Sequence, residues 1–595
     1  MNRRNFLVNF LFWILSFFVG YKVANIEIKS EDASLSDNMT VQDKVDTLNQ
    51  QINDTTRKLD YIINVKQPPY NVRGDAEDDT EAIQQAMYDA KGKELVIPDG
   101  EYAISSSLEI PDDIIITMGS NARLFTVGKL TNIFKCEGKV TGSYKVKRNL
   151  SVGERTIPVS NASAFSKGDL IMVRDDYKPD DIQPQKGECH YIHSVNKNNK
   201  TIELTESLWD SYSTDFNASV DIINPIKNIR ITGGIIEGAG VDAGQNSGML
   251  FKYVTNLEIS HTTVRNWARR GIMISTVVYG KVEKCTFENI YDTGDRPGTG
   301  YSIELSNATQ WFDTMHCFAK DVSKLWDVSG FSTDYGHTRF CKVAFNKIYG
   351  ANRGCISTHA AGEHFSVFEN DIYGSRLSEK GQGHGMMFRT PNMKIYNNRI
   401  WDSVRHGIEC RSEGKAGSYE IYNNTIHFAQ EHAIRVGMQE SPAKNGKSYV
   451  LDQVVIDGNN IIDSGGYGIY IYTFTEAYGK LSKLSITNNM ISYLGTAGII
   501  LAGEASGINH GLISGNTAIN NGSIEGKVGI LIRPESEMRG LLISNNSCHG
   551  GEYGIQTTSQ ELTIDCFVNG NLVEGTNVGV DGFANEQMGL NKQIN

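Results

Sequence analysis

Histidine, arginine, glutamate and tyrosine recur at matched places through the C-terminal half of this sequence. Eight of the 13 histidines fall from His316 to His432. They accompany a short phrase, a small residue followed by apolar-x-apolar, as in Gly354-Cys-Ile-Ser, Gly385-Met-Met-Phe, Gly407-Ile-Glu-Cys and Ala433-Ile-Arg-Val. Successive residues of a strand face opposite sides, so the first and third residues after the small one point inward and the second and fourth outward. Lining up the phrases gives columns. The residue before the small one reads Arg353, His384, His406, His432 and Tyr467. The second after it reads Ile356, Met387, Glu409, Arg435 and Tyr470, and the fourth reads Thr358, Arg389, Arg411, Gly437 and Tyr472.

Such a stripe suits an elongated anionic polymer. Arginine forks grip carboxylate or phosphate, and tyrosines stack on sugar rings. Glu409, ringed by Arg389, Arg411 and Arg435, is expected to stay ionised and to serve as a base or charge stabiliser rather than an acid. Its partner is sought in Glu363 or Asp334. Carboxylates one or two rungs of a sheet apart, at about 4.8 Å per rung, match the spacing of retaining or inverting glycosidases. His359 follows a strand end, and His316 and His337 lie on neighbouring segments. A histidine near its ordinary pKa, or a perturbed carboxylate, can act as general acid or base. The competing reading is purely architectural, since repeated coils stack like residues whether or not they bind anything. No H-E-x-x-H, EF-hand loop, Walker loop or G-x-S-x-G elbow occurs, so neither metal nor cofactor is expected.

The same phrases define the elements that must position these groups. They continue as Gly468-Ile-Tyr-Ile, Gly498-Ile-Ile-Leu, Gly529-Ile-Leu-Ile and Gly554-Ile-Gln-Thr, at intervals of about 22 to 35 residues. A second phrase, apolar-x-Asn-Asn-x-apolar, precedes most of them, as in Ile395-Tyr-Asn-Asn-Arg-Ile and Ile421-Tyr-Asn-Asn-Thr-Ile. Two or three short strands per repeat, broken by Asn and Gly, describe one coil of a parallel β-helix. Stacked asparagines at equivalent turns can hydrogen-bond along its axis.

The N-terminal region differs. Arg3 and Arg4 precede an uncharged run from Asn5 to Tyr21, which at 1.5 Å per residue gives roughly 26 Å of helix, enough to span a bilayer. No A-x-A-like site follows, so an uncleaved anchor over residues 1–24 is expected. Val41, Val45, Leu48, Ile52, Thr55, Leu59 and Ile62 then fall on heptad a and d positions, an oligomerising stem within 25–66 closed by Pro68-Pro69. The net charge of −12 argues against nucleic acid as a partner. The nine cysteines are scattered without a C-x-x-C pair, which predicts buried free thiols.

Asn71-Val-Arg-Gly-Asp-Ala-Glu-Asp-Asp-Thr-Glu-Ala-Ile-Gln-Gln-Ala, followed by Leu95-Val-Ile-Pro-Asp-Gly-x-Tyr, resembles the N-terminal cap of the pectate-lyase-like superfamily (glycosyl hydrolase family 28-related), without part of its glycine-rich middle. With the coils, the resemblance covers roughly residues 70–580. Residues 141–225 break the coil pattern and look like the small β insertion of phage tail-spike-like members. Anchor, stem and helix together resemble tail appendages of phages of Gram-positive hosts. The resemblance implies an all-β, right-handed parallel β-helix with an N-terminal hydrophobic helix, a coiled-coil stem and a small inserted β subdomain. The cap spans 67–140 and the main helix 226–595. It further implies a homotrimer on a virion tail that binds or degrades an anionic polysaccharide or teichoic-acid-like polymer, with calcium admissible by analogy alone. Gly383-His384-Gly385 matches a polygalacturonase motif, but the acidic and basic motifs that accompany it are absent, so that activity is not expected.

Three functions follow as expectations. The first is a hydrolase or lyase acting on a bacterial surface polymer. The second is a non-catalytic receptor-binding spike using the same groove. The third is a membrane-tethered host protein that processes wall polymer.

Overall fold

A computed structural model describes residues 61–128, 132–178, 184–240, 246–292, 300–330, 335–351, 353–374, 383–412, 417–438, 449–473, 479–503, 508–535 and 537–594. The anchor and almost all of the heptad stem lie outside the described residues, as does Asp334. Among the described residues no helix is long and apolar enough to cross a membrane.

The repeat phrases become coils of three parallel strands. One coil runs Met386–Phe388, Met393–Tyr396, Arg399–Ser403, and the next Ile408–Ser412, Gly417–Tyr422, Thr425–Ala429. Each strand pairs in parallel with its counterpart one coil on. The small residue that opens each phrase leaves room for the turn, and the inward place after it stacks Met386, Ile408, Ile434, Ile469, Ile499, Ile530 and Ile555 in register. All seven are fully buried, each stabilising the fold by about 1.5–3 kcal/mol relative to exposure.

Buried turns need their polar groups satisfied. Asn346, Asn370, Asn398, Asn424, Asn459, Asn489, Asn516, Asn546, Asn571 and Asn591 do this as one ladder. Each Nδ2 donates to the Oδ1 of the next at 2.9–3.0 Å. The same oxygens take the backbone N–H of the preceding rung, as Asn424 Oδ1 does from Asn398 at 3.0 Å. Cys317 stands one rung before Asn346 and gives it its backbone N–H at 2.8 Å. All nine cysteines are free and buried.

The helix Thr80–Asp89 buries Ile83, Ala86 and Met87 against the first coils. After Phe134–Glu137 the chain leaves the β-helix, returning at Ile226–Thr232, which pairs in parallel with Ile114–Met118. It builds a six-stranded antiparallel sheet over Lys139–Asn224, with its own core of Ile157, Ile171, Val173, Ile202, Leu204 and Val220. A buried clamp fastens this sheet to the coils. Arg339, with no exposed surface, reaches Glu363 on the next coil with Nε (2.6 Å), Asp210 of the inserted sheet with Nη2, and the Gly187 carbonyl with Nη1 (3.4 Å).

Candidate functional site

The outward column on the first strand of each coil, read from the strand register, runs Met273, Glu304, Asp327, Ser357, Met387, Glu409, Arg435 and Tyr470. This corrects one place in the sequence reading. Ser357, not Ile356, pairs with Met387, because Cys355 rather than Gly354 takes the small-residue place. A slip of one residue reverses every side chain of a strand. It therefore moves His359, two residues past Ser357, onto the level of Arg389 and places it beside that guanidinium. The register also brings in two acids the sequence reading missed, Glu304 and Asp327.

Two clusters form along this column. In the first, Asp327 is fully buried, with Lys324 Nζ 3.1 Å from its Oδ1 and Ser357 Oγ donating to the same oxygen. His359 Nε2 lies 3.6 Å from Asp327 Oδ2, while Arg389 Nη1 meets His359 Nδ1 at 2.8 Å. A guanidinium only donates, so Nδ1 is the acceptor and the imidazole proton sits on Nε2, facing the carboxylate. His359 thus accepts from Arg389 at Nδ1 and turns Nε2 toward Asp327 at a distance beyond hydrogen bonding. Glu304, one rung before Asp327, is held by Arg270 and accepts from Ser329 Oγ at 2.5 Å.

The second cluster centres on Glu409. The outward stripe was expected to face solvent, but Glu409 is 1% exposed, and His384 and His406 are buried with it. Glu409 Oε1 sits 3.0 Å from Arg435 Nη1, 3.9 Å from Arg411 Nη1 and 4.0 Å from His406 Nε2, and Oε2 sits 3.4 Å from His384 Nδ1. The expected column of His384, His406, His432 and Tyr467 is a ring ladder, with neighbouring centroids 4.9–5.1 Å apart. Arg435 also lies over the Tyr472 ring at 4.3 Å and more loosely over Tyr470 at 5.8 Å. A carboxylate absent from the sequence reading completes the group. Glu431, whose side chain is 42% exposed, takes Arg405 Nε at 3.2 Å and lies 3.4 Å from His406 Nε2. Glu409 Oε1 and Glu431 Oε2 therefore lie within 7.4 Å of each other, the sum of their two distances to that nitrogen.

The remaining predicted residues are elsewhere. Glu363 and His337 belong to the clamp at Arg339, so Glu363 is not brought to Glu409. Arg353 pairs with Asp292 at 3.1 Å, and His316 stacks on Phe345 at an exposed turn, centroids 4.9 Å apart. His384, His406 and Glu409, and likewise Asp210, His337 and Glu363, bring three metal-type donors within 4.8 Å. A guanidinium already serves each set, Arg435 in the first and Arg339 in the second, and its charge opposes a cation.

Burial and the arginines keep the histidines neutral. Burial pushes His359 down to about 4, with Asp327 opposing. Burial, then Arg435 and Arg405, holds His432 at about 4. His384 and His406 are pushed down for the same reason, burial first and neighbouring cations next. In the unfolded chain these groups titrate near 6.5. Between about pH 6.5 and about pH 4 the unfolded chain therefore binds protons that the folded one refuses, and stability falls on acidification through that window. Asp175, raised to about 6 by burial, works in the opposite direction over part of it. Comparing His432→Gln with the parent isolates the histidine contribution. The melting temperature of the variant is expected to fall less steeply from pH 7 to pH 4.5, and equal slopes would refute the assignment.

Comparison with known proteins bears on the fold. The family described as right handed beta helix region matches residues 413–587. The Gp54 tailspike of Acinetobacter baumannii bacteriophage AP22, solved in complex with A. baumannii capsular saccharide, is similar at 13% identity, covering 83% of this chain and 80% of its own, with a TM-score of 0.53. Tailspike gp61 of Pseudomonas phage phi297 is similar at 12% identity, with 87% and 80% covered and a TM-score of 0.50. Tailspike gp49 of Pseudomonas phage LKA1 follows at 13%, with 88% and 83% covered and a TM-score of 0.50. No curated protein matches the sequence. What is shared at these identities is the architecture, a right-handed parallel β-helix.

Proposed function

We propose that this chain is a tailspike-like protein that grips an acidic bacterial surface polymer, a glycan or a teichoic-acid-like chain, along the Arg389–Tyr472 face and cleaves it there. One observation carries the reading. Arg405, Arg411 and Arg435 converge on two carboxylates, Glu409 and Glu431, whose nearest oxygens lie within 7.4 Å across His406. The arginines supply the fork geometry that carboxylate and phosphate groups require. That upper bound on the carboxylate separation admits the separations used for glycosidic cleavage, roughly 5–5.5 Å in retaining and 6.5–9.5 Å in inverting enzymes. Glu409, buried among cations, has the role of base or charge stabiliser, and the accessible Glu431, paired with Arg405, is the second carboxylate of the site. The capsular saccharide bound by the AP22 tailspike is of the same ligand class on the same architecture. A trimer formed through the heptads and attachment to a virion through residues 1–24 belong to this reading.

A non-catalytic spike is the second reading, favoured by the 1% exposure of Glu409. One experiment separates them. The full chain is incubated with teichoic acids, uronate polysaccharides and capsular glycans, and polymer length is followed by size-exclusion chromatography. Shortening of one acidic polymer is the expected result. Co-migration without shortening selects the binding spike. If no acidic polymer shortens or co-migrates, the proposal is wrong.

A further inference from the structure

A second face of the β-helix carries a different chemistry. On the middle strand of successive coils, Arg230, Glu258, Lys281, Asp313 and Lys342 occupy one outward column. Their charges alternate and pair. Arg230 Nε lies 3.2 Å from Glu258, Lys281 Nζ 3.4 Å from Glu258, and Lys342 Nζ 3.8 Å from Asp313. A cleft of about 490 Å³ opens along this column.

Tyr279 lines the cleft and is 40% exposed. It is the terminal ring of a stack that climbs one corner of the helix. Tyr279 lies on Trp311 (centroids 4.9 Å apart, 15° between planes), Trp311 on Phe340 (5.6 Å, 18°), and Phe340 on His364 (5.4 Å, 18°). All four have left-handed backbone, with φ of 53–61°, which bulky side chains rarely adopt. Toward the N-terminus the same corner conformation continues at Asn256 and Asn228, and the two amides bond to each other at 2.9 Å. The stack therefore stops at Tyr279. Trp311 covers one face of its ring; on the other side the adjacent rung carries the shorter Asn256, and Tyr279 keeps 40% of its surface exposed to the cleft. Trp209 of the inserted sheet props the stack from the side, edge-on to Trp311 and Phe340 at 5.4 and 4.9 Å.

We propose that this cleft is a binding site for a neutral hexopyranose unit, separate from the arginine face. An aromatic face at the wall of a cleft takes the C–H face of a sugar ring, and a few fixed polar groups set its orientation. The Asn228 and Asn256 amides and the paired charges offer donors and acceptors for hydroxyls. The four charged residues that line the cleft, Arg230, Glu258, Lys281 and Asp313, sum to zero, so the cleft itself does not select an anion, unlike the face around Arg435. The Lys281 rung stands five rungs from Glu420, which shares a coil with Glu409, about 24 Å along the axis. A polymer carrying both neutral and acidic sugars can touch both sites.

The test titrates the full chain with maltohexaose, cellohexaose, mannohexaose and chitohexaose, reading tryptophan fluorescence, because Trp311 and Trp209 pack against Tyr279 and its stack, with calorimetry in parallel. At least one oligosaccharide is expected to bind with a Kd of about 1 mM or below. Tyr279→Ala is expected to weaken it about tenfold or more, and Tyr279→Phe, which keeps the ring face, by less than about twofold. Should Tyr279→Ala lower the melting temperature, Asn256→Gly serves instead. It keeps the left-handed turn, removes only the amide, and is expected to weaken binding about threefold. Failure of the parent chain to bind any of the four at about 10 mM overturns the proposal, as does unchanged binding by Tyr279→Ala or by its substitute. The probes are uncharged, so this result and that of the acidic-polymer assay stand independently.

Discussion

Replacing Arg339 with methionine is expected to destabilise the protein by about 3–5 kcal/mol, the cost of stripping a buried ion pair of one partner. Arg339 has no exposed surface and serves Glu363 on its own face of the β-helix and Asp210 on the inserted sheet. Without it, two carboxylates face each other with little water to screen them. A lysine at 339 offers one compact ammonium in place of a planar fork, so Arg339→Lys is expected to recover only part of the loss. The triple change Arg339→Met, Asp210→Asn, Glu363→Gln is expected to recover most of it, because no uncompensated charge then remains. Urea titration followed by tryptophan fluorescence, repeated in a Trp209→Phe background to isolate that residue's share, reads the event locally, since Trp209 packs on Phe340 beside the clamp and the guanidinium lies 5.8 Å from its ring. This matters because long repeat arrays need not unfold in one step. A cost below about 1 kcal/mol for Arg339→Met would show that water or rearrangement already compensates these acids.

The clamp also marks a limit of sequence reading. Glu363 sits between two histidines in His359-Ala-Ala-Gly-Glu-His364, which locally resembles a catalytic or metal-binding run. Its actual partner set includes Asp210, brought in from the other side of a bound guanidinium. No local spacing carries that information. The coils are the opposite case. Their phrases repeat because every rung solves the same steric problem, a small residue at a turn and a branched one in the core. The asparagine ladder repeats because each rung satisfies the one before.

Within the site, legibility followed the small-residue marker. Where that marker is unambiguous, at Gly385, Gly407 and Ala433, the columns of Glu409, Arg435 and the stacked histidines were readable. At Gly354-Cys355 two small residues compete and the register slips by one, which hid the pairing of His359 with Arg389. At Leu325 the marker is lost altogether, so Asp327 passed unnoticed, although it stands one rung from Ser357. Burial of the outward stripe was not readable either. Alternation tells which side of a strand a residue faces, not whether that side is covered.

Glu409→Gln is expected to separate holding from cutting. Gln keeps the shape of the side chain and an oxygen for Arg435 at the 3.0 Å position, but it removes the one full negative charge at the centre of Arg411 and Arg435. An acidic polymer then meets a more positive face, so its retention should rise, and should rise most at low ionic strength where screening is weakest. Turnover should move the other way. If Glu409 is the base or charge stabiliser, its loss removes about 10²–10⁴-fold in rate. Arg435→Ala gives the complementary result, with retention falling because the fork that carries binding is gone. A structural role for Glu409 would lower retention and turnover together, along with the melting temperature. Tighter retention with turnover intact would leave the binding face in place and move the chemistry elsewhere along the column. The next carboxylate is then Asp327, 3.6 Å from His359, whose other nitrogen meets the Arg389 guanidinium at the edge of the same face.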